Sequence, residues 1–203
     1  WYQKAAENGD NYAMNNLAIY YENGKGTEKN SKNAFYWYQK AAEKDCIKAM
    51  FNLVVCYENG EGTEKDLEKA FYWCQKAAEN GHIDAMVCLA ICYYNNGEGT
   101  EKNLKKAFYW YQKAAEKDHI DAMTGLAICY ENGNGTEKNL GKAFYWYQKV
   151  AENGDKEAQF NLGVRYEKGI VIEKDEVKAS YWYQKAAQQG FNNAQYKLGF
   201  FYK

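Results

Sequence analysis

The 203-residue sequence lacks proline altogether, has only two histidines and contains no long apolar run. A helix needs roughly 18 consecutive apolar residues to cross a membrane, so no membrane span is expected. Lys and Arg together number 26 against 27 Asp and Glu, and the net charge is −1. This balance excludes the basic surface typical of nucleic-acid binders. The composition favours a soluble, all-helical module.

A fixed period organises the chain. Tryptophan recurs every 36 or 37 residues, each time within a version of Ala-Phe-Tyr-Trp-Tyr-Gln-Lys-Ala-Ala-Glu, at Trp1, Trp37, Trp73, Trp110, Trp146 and Trp182. Periods between about 20 and 50 residues are typical of solenoids, in which each repeat packs only on its neighbours. The sequence therefore predicts an all-α solenoid of helix-turn-helix repeats of about 36 residues.

Each repeat contains two amphipathic helices. In the first, Ala13, Leu17 and Tyr21 form one apolar stripe at helical spacing. Gly24 is predicted to end that helix in the left-handed conformation, and Asn30 or its equivalent Asp66 is predicted to cap the second helix. The turns at Lys44-Asp45 and Lys117-Asp118 lack the glycine of the other repeats, so we expect them to be strained or differently closed.

The array is expected to run over residues 1–203 as a single domain, with five complete helix pairs and a partial helix at each end. Because the chain begins and stops inside a helix, without polar terminal repeats, we interpret it as a fragment of a longer protein.

The repeat resembles the Sel-one-like repeat family, relatives of the tetratricopeptide repeats. The matching positions in one repeat are Ala85, Leu89, Ala90, Tyr93, Gly97, Gly99, Lys106, Ala107, Trp110, Tyr111, Ala114 and Ala115. The departures are local: Gly169-Ile170-Val171-Ile172 loses the second loop glycine, and Cys74 replaces a tyrosine. The resemblance implies a right-handed superhelix (α/α superhelix) whose first helices line a concave groove that holds protein partners.

Metal, cofactor and catalytic sites are not expected. Cys56, Cys92 and Cys129 occupy one repeat position and would be separated by about 10 Å, the helix-packing distance. The same argument separates His82 from His119, so no metal site and no Ser-His or Cys-His catalytic arrangement can form. We therefore predict a non-enzyme that takes no cofactor.

The cysteines indicate small buried or half-buried thiols in a reducing compartment, and the predicted location is the cytoplasm. Asn134-Gly135-Thr136 has the form of a glycosylation sequon, but it lies in a helix-capping turn and is interpreted as coincidence. A secretory lumen is the alternative location, because the N-terminus of the expected parent protein is missing from this sequence.

Positions that packing does not dictate point to the partner. Three columns of the first helices are predicted to face the groove, and their candidate partner-binding residues are Asn15, Glu22, Phe51, Glu58, Asp84, Val87, Asp121, Thr124, Glu131, Glu157, Phe160, Glu167 and Tyr196. Together they suggest an acidic groove dotted with aromatic residues, although an ordinary solvated helix face is the alternative. A rival surface is the column of Tyr36, Tyr72, Tyr109, Tyr145 and Tyr181, for which packing between repeats is the favoured interpretation.

The predicted function is a scaffold or adaptor that binds a protein or peptide, with basic residues and apolar anchors in the bound segment. The alternative is a regulatory repeat segment joined to a catalytic domain, such as a kinase, outside this sequence. No nucleic acid and no membrane are expected as partners.

Overall fold

A computed structural model describes residues 1–95, 97 and 100–201, and within these residues the fold consists of twelve α-helices without a strand. The helices are α1 Tyr2–Glu7, α2 Asn11–Asn23, α3 Ser31–Ala42, α4 Ile47–Asn59, α5 Leu67–Glu79, α6 Ile83–Asn95, α7 Leu104–Ala115, α8 Ile120–Asn132, α9 Leu140–Glu152, α10 Lys156–Lys168, α11 Glu176–Gln188 and α12 Asn192–Phe201. The predicted all-α helix-pair repeat is confirmed. Of the positions named above, Gly99 lies outside the described residues.

The helices fall into two compact units, residues 1–110 and 111–203. In the first unit, each helix from α1 to α5 packs on the next one along the chain. In the second unit, α8 packs on α9, α9 on α10, α10 on α11 and α11 on α12. Even-numbered helices are the first helices of the repeats, and odd-numbered helices after α1 are the second helices.

The helix ends follow the predicted capping rules. Gly24 ends α2 with a left-handed φ of 68°, and its N–H donates to the Tyr20 carbonyl. The Asn30 side chain accepts a hydrogen bond from the Asn33 N–H at 3.0 Å, as expected for an N-cap. Asp45 and Asp118 adopt φ values of 60° and 62°, which confirms the predicted strain. Such a conformation costs about 1–2 kcal/mol in a residue with a side chain.

Leucines and alanines of the first helices form the centre of each unit. Leu53, Leu89, Leu126 and Leu162 are at most 1% exposed. Among the second helices, Tyr38 and Tyr183 are equally buried. The five tryptophans after Trp1 are only half-buried, so they lie at the edge of the core and not at its centre.

The side chains at two facing positions of a helix pair change in size together from one repeat to another. Gly163 lies so close to Tyr183 that a Cβ built on it would meet the ring at 2.7 Å. In the α4–α5 repeat the equivalent positions hold Val54 and Cys74. Because a larger residue on the first helix accompanies a smaller one on the second, the replacement of tyrosine by Cys74 is compensated within its own repeat.

Candidate functional site

The first predicted column is largely occupied by packing. Asn15 is 4% exposed and Val87 is 7% exposed. The Asn15 side-chain oxygen accepts a hydrogen bond from Asn52 at 3.1 Å. These two residues are therefore not available to a partner, whereas Thr124 is half-buried and Tyr196 is 70% exposed.

The two phenylalanines of this column fill space between successive repeats. The Phe51 ring stacks on His82 with 4.4 Å between centroids. Phe160 packs on Tyr183 at 5.5 Å and on Phe191 at 5.3 Å. Both rings remain half-buried, so each presents only part of its surface.

The second column is exposed in both units. Asp84, Asp121 and Glu157 all lie in the first turn of their helices and are open to solvent. An acidic side chain in the first turn interacts favourably with the positive end of the helix dipole. It therefore stabilises its helix whether or not a partner binds. Its exposure also leaves the carboxylates accessible to a basic partner.

The third column holds glutamates that hydrogen-bond within the chain. The phenol of Tyr38 donates to Glu22 at 3.1 Å. The same bond joins Tyr147 to Glu131 at 2.9 Å and Tyr183 to Glu167 at 2.6 Å. In each case the tyrosine follows the glutamate by 16 residues. A repeated phenol–carboxylate pair thus ties the end of a first helix to the second helix of the same repeat.

In the second unit a cation completes each pair. The Arg165 guanidinium donates to Glu131 at 2.9 Å and lies 4.7 Å from the centre of the Tyr147 ring. Lys197 makes the equivalent ion pair with Glu167 at 2.8 Å. Partial burial acts to raise the pKa of Glu131, but hydrogen bonds from Arg165 and Tyr147 outweigh it and the pKa is lowered. Glu131 is therefore held as a carboxylate.

Glu58 has a different environment, in which cysteines occupy the positions of all three donors. Cys74 stands at the phenol position, while Cys88 and Cys92 stand at the positions of Lys197 and Arg165. The Cys74 thiol donates to the Ala85 carbonyl at 3.4 Å. Hydrogen bonding with Cys74, together with burial, raises the pKa of Cys88 to about 12. The Cys88 thiol is therefore protonated and unreactive at neutral pH.

A cavity of about 700 Å³ opens between α8 and α10, and we call it the α8–α10 pocket. Its lining residues are Ile120, Asp121, Thr124, Glu131, Tyr147, Val150, Asp155, Glu157, Ala158, Asn161, Arg165 and Ile170. Four of the predicted partner-binding residues are thus brought together there. The volume lies within the range of about 300–1,000 Å³ found for ligand sites.

The pocket is open because two small or polar residues replace an aromatic pair. Thr124 and Asp155 occupy the positions that Phe51 and His82 hold in α4–α6. Phe160 and Phe191 hold those positions in α10–α12, where their rings pack together. Thr124 turns its hydroxyl to the Ile120 carbonyl at 3.2 Å, and the Asp155 side chain caps α10.

The sequence pattern places Thr124 in a groove column, and it places Asp155 at the repeat position of His82 and His119, but it does not by itself connect the two columns. The spacing of 31 residues that joins Phe51 to His82 also joins Thr124 to Asp155. Comparing the two columns by this spacing would have located the pocket. Arg165, Tyr147 and Ile170 also line the pocket but were not predicted to do so, and of the three only Ile170 was named, as part of the departing loop.

The remaining candidates are dispersed. All six cysteines are free thiols. Over residues 1–95, 97 and 100–201, no group of three His, Cys, Asp or Glu side chains is arranged to hold a metal ion. In the same residues no helix is long and apolar enough to cross a membrane.

The rival tyrosine column is half exposed. Tyr36, Tyr72, Tyr109, Tyr145 and Tyr181 have between 50% and 52% of their surface accessible. Each ring sets its edge against the tryptophan that follows it, as Tyr36 does on Trp37 at 5.2 Å. These contacts lie within one helix, so the favoured interpretation, packing between repeats, stays a prediction.

The family model for the Sel1 repeat matches the chain from end to end, over residues 1–10, 11–46, 47–82, 83–119, 120–155, 156–191 and 192–203. The chain belongs to the Sel1 repeat family. Repeats of this family form helical scaffolds for protein–protein interaction, and the recognition made from the repeat pattern is confirmed.

Several solved structures are similar to this chain in fold. The protein c5321 of uropathogenic Escherichia coli, a protective antigen with an SLR fold, is 32% identical with a TM-score of 0.90, and the match covers 100% of this chain and 43% of that one. A Sel1 repeat protein from Oxalobacter formigenes is 37% identical with a TM-score of 0.78, over 94% of this chain and 78% of that one. The immunity protein Pa5087 from Pseudomonas aeruginosa is 26% identical with a TM-score of 0.53, over 92% and 71%.

This chain therefore spans less than half the length of the E. coli antigen. No curated protein is similar enough to count as a relative.

Proposed function

We propose that this Sel1 chain is a non-catalytic scaffold that holds a protein partner on its first-helix face, the surface formed in each unit by the first helices of the repeats. The observation that carries the proposal is the exposed acidic column, Asp84 in one unit and Asp121 and Glu157 in the other. The last two also line a cavity of about 700 Å³.

Charge indicates the chemistry of the partner. Carboxylates that recur at one position of successive repeats attract a basic segment and steer its approach. Tyr196, an exposed aromatic residue of the same predicted face, supplies an apolar anchor. The expected partner is thus a basic protein segment with apolar side chains, as the sequence suggests. The description of one neighbour as an immunity protein supports a role in binding other proteins.

The alternative is that the repeats regulate a catalytic domain elsewhere in the same polypeptide. The E. coli antigen, whose chain is more than twice as long as the part that matches, shows that such repeats occur within a longer polypeptide. In that case the same face would bind a segment of the parent protein, and changes on it would alter that protein's activity.

Charge reversal tests the proposal. The variant D84K/D121K/E157K should lose the partners that wild type captures by affinity pull-down, and the salt dependence of capture should fall with them. The matched control is E79K/E116K/E152K, which reverses three exposed acids at or just beyond the ends of second helices. Equal capture by wild type and both variants would exclude the first-helix face.

A further inference from the structure

The α8–α10 pocket has an unequal charge. Four carboxylates line it, from Asp121, Glu131, Asp155 and Glu157, against one guanidinium. That guanidinium belongs to Arg165 and is already bound to Glu131 at 2.9 Å. The remaining carboxylates therefore set the potential in the cavity, and an occupant with a positive charge is favoured.

The rim of the pocket is apolar on two sides. Ile120 is 38% exposed on α8, and Ile170 is 41% exposed in the loop after α10. The Ile170 N–H donates to the Arg165 carbonyl at 3.0 Å, which fixes the isoleucine beside the ion pair. Lys25, Glu61 and Asn134 make the equivalent bond in three other repeats, so an apolar residue here is particular to this loop.

The loop that presents Ile170 is strained. Val171 adopts a φ of 73°, a conformation that a β-branched residue rarely takes. The first loops of other repeats have glycine at this position, as at Gly26 and Gly62. This loop replaces Gly-x-Gly and places an apolar side chain at the edge of the acidic cavity. Its backbone strain costs about 1–3 kcal/mol.

We propose that the α8–α10 pocket recognises a single basic side chain, Lys or Arg, whose neighbouring aliphatic residue packs against Ile170 and Ile120. This inference rests on the proposed function, since the basic side chain belongs to the protein partner. The ammonium or guanidinium group lies among the carboxylates of Asp121, Asp155 and Glu157, and its methylene stem lies along the apolar rim.

The chain itself supplies the variant that closes the pocket. The pair T124F/D155H copies Phe51 and His82, which stack at 4.4 Å in an equivalent setting. It fills the cavity with a combination that the fold already accommodates. The matched control is F51T/H82D, which makes the reverse exchange in the other unit and leaves the α8–α10 pocket unchanged.

The probes are defined pentapeptides, acetyl-Gly-Leu-Lys-Leu-Gly-amide and its arginine, norleucine and glutamate versions, titrated into the isotope-labelled chain and followed by NMR. The lysine or arginine peptide should shift the signals of Thr124 and Ile170. The norleucine and glutamate peptides should bind roughly tenfold more weakly or not at all, because they lack the positive charge. The stronger of the two basic peptides identifies the preferred head group.

T124F/D155H should weaken binding of the basic peptide roughly tenfold, and F51T/H82D should not. If the filled variant fails to fold by circular dichroism, D121N/E157Q provides the same test without changing side-chain volume. The inference would be overturned if T124F/D155H and D121N/E157Q bound the basic peptide as tightly as wild type does. It would also be overturned if wild type bound the glutamate peptide as tightly as the basic peptide.

The experiments distinguish failure of the pocket proposal from failure of the scaffold proposal. If T124F/D155H captures the natural partner as well as wild type does, the pocket is not the recognition site and the scaffold function stands. If D84K/D121K/E157K also captures it equally, the first-helix face itself is excluded.

Discussion

The α4–α5 and α8–α9 repeats have the same helices and turns but opposite distributions of side-chain volume. In the first, Phe51 and His82 fill the space beside the next repeat, and cysteines surround Glu58. In the second, Thr124 and Asp155 leave that space open, and Tyr147 and Arg165 bind Glu131. One backbone thus gives a closed surface in one unit and an acidic pocket in the other.

This difference shows where specificity resides in a repeat protein. The residues that define the repeat, such as Leu53 and Leu126, are equally buried in both units and carry no distinction between them. The distinction comes from pairs of positions that change together. Because each pair lies at an interface between neighbouring helices, exchanging a pair alters a surface without altering the fold.

The largest expected effect comes from bringing the α4–α5 valine into α10. Gly163→Val places new atoms where the Tyr183 ring already lies 2.7 Å from an ideal Cβ. Overpacking of this kind should lower the free energy of unfolding by about 3 kcal/mol, measured by urea denaturation. The double variant G163V/Y183C, which copies Val54 and Cys74, should be more stable than the sum of the two single changes predicts. If the stability changes of the two single variants simply add in the double variant, the side-chain sizes at positions 163 and 183 are not coupled.

A smaller effect is expected from the glutamate column. Glu131→Gln weakens the hydrogen bonds from Tyr147 and Arg165 and should cost about 1 kcal/mol at pH 7, since the ion pair is partly exposed. Glu58→Gln, in the cysteine environment, should change stability by less than about 0.5 kcal/mol. Urea midpoints of the two variants provide the measurement. Equal losses of stability in the two variants would mean that the hydrogen bonds from Tyr147 and Arg165 to Glu131 do not stabilise the fold.

The pH dependence of E131Q checks the same contact. The pKa of Glu131 is lowered in the folded state. Its contribution is therefore complete above the unfolded value of about 4.3 and is lost as pH falls through the lower folded value. Wild type should lose more stability than E131Q between pH 5 and more acidic conditions, and parallel curves would contradict the assignment.

Periodicity was enough to predict the helices, the caps and the family, because each repeat must present the same stripe to its neighbours. It predicted strain at Asp45 and Asp118 for the same reason, since glycine occupies the equivalent turns. Periodicity could not rank the groove residues. Asn15 and Glu131 both occupy predicted groove columns. Asn15 is nevertheless buried and accepts a hydrogen bond from Asn52, and Glu131 accepts one from Tyr147. Such outcomes depend on the identity of a residue about 16 or 36 positions away.

The last comparison concerns His82 and Asp155, which cap the helices that follow the two compared repeats. His82 Nδ1 accepts the Ala85 N–H at 3.3 Å, while Asp155 accepts the Ala158 N–H at 2.7 Å. Burial lowers the pKa of His82, with Lys48 acting in the same direction and Asp84 against both.

The neutral imidazole is thus favoured in the folded state, so its contribution is present above the unfolded value of about 6.5 and is lost as pH falls through the lower folded value. Wild type should lose up to about 1 kcal/mol between pH 7 and 5 that H82D retains, because an aspartate cap titrates well below this range. Urea midpoints at pH 7, 6 and 5 measure the difference. His119 is present in both proteins, so a different slope belongs to His82, and identical slopes would show that its ring nitrogen does not cap α6.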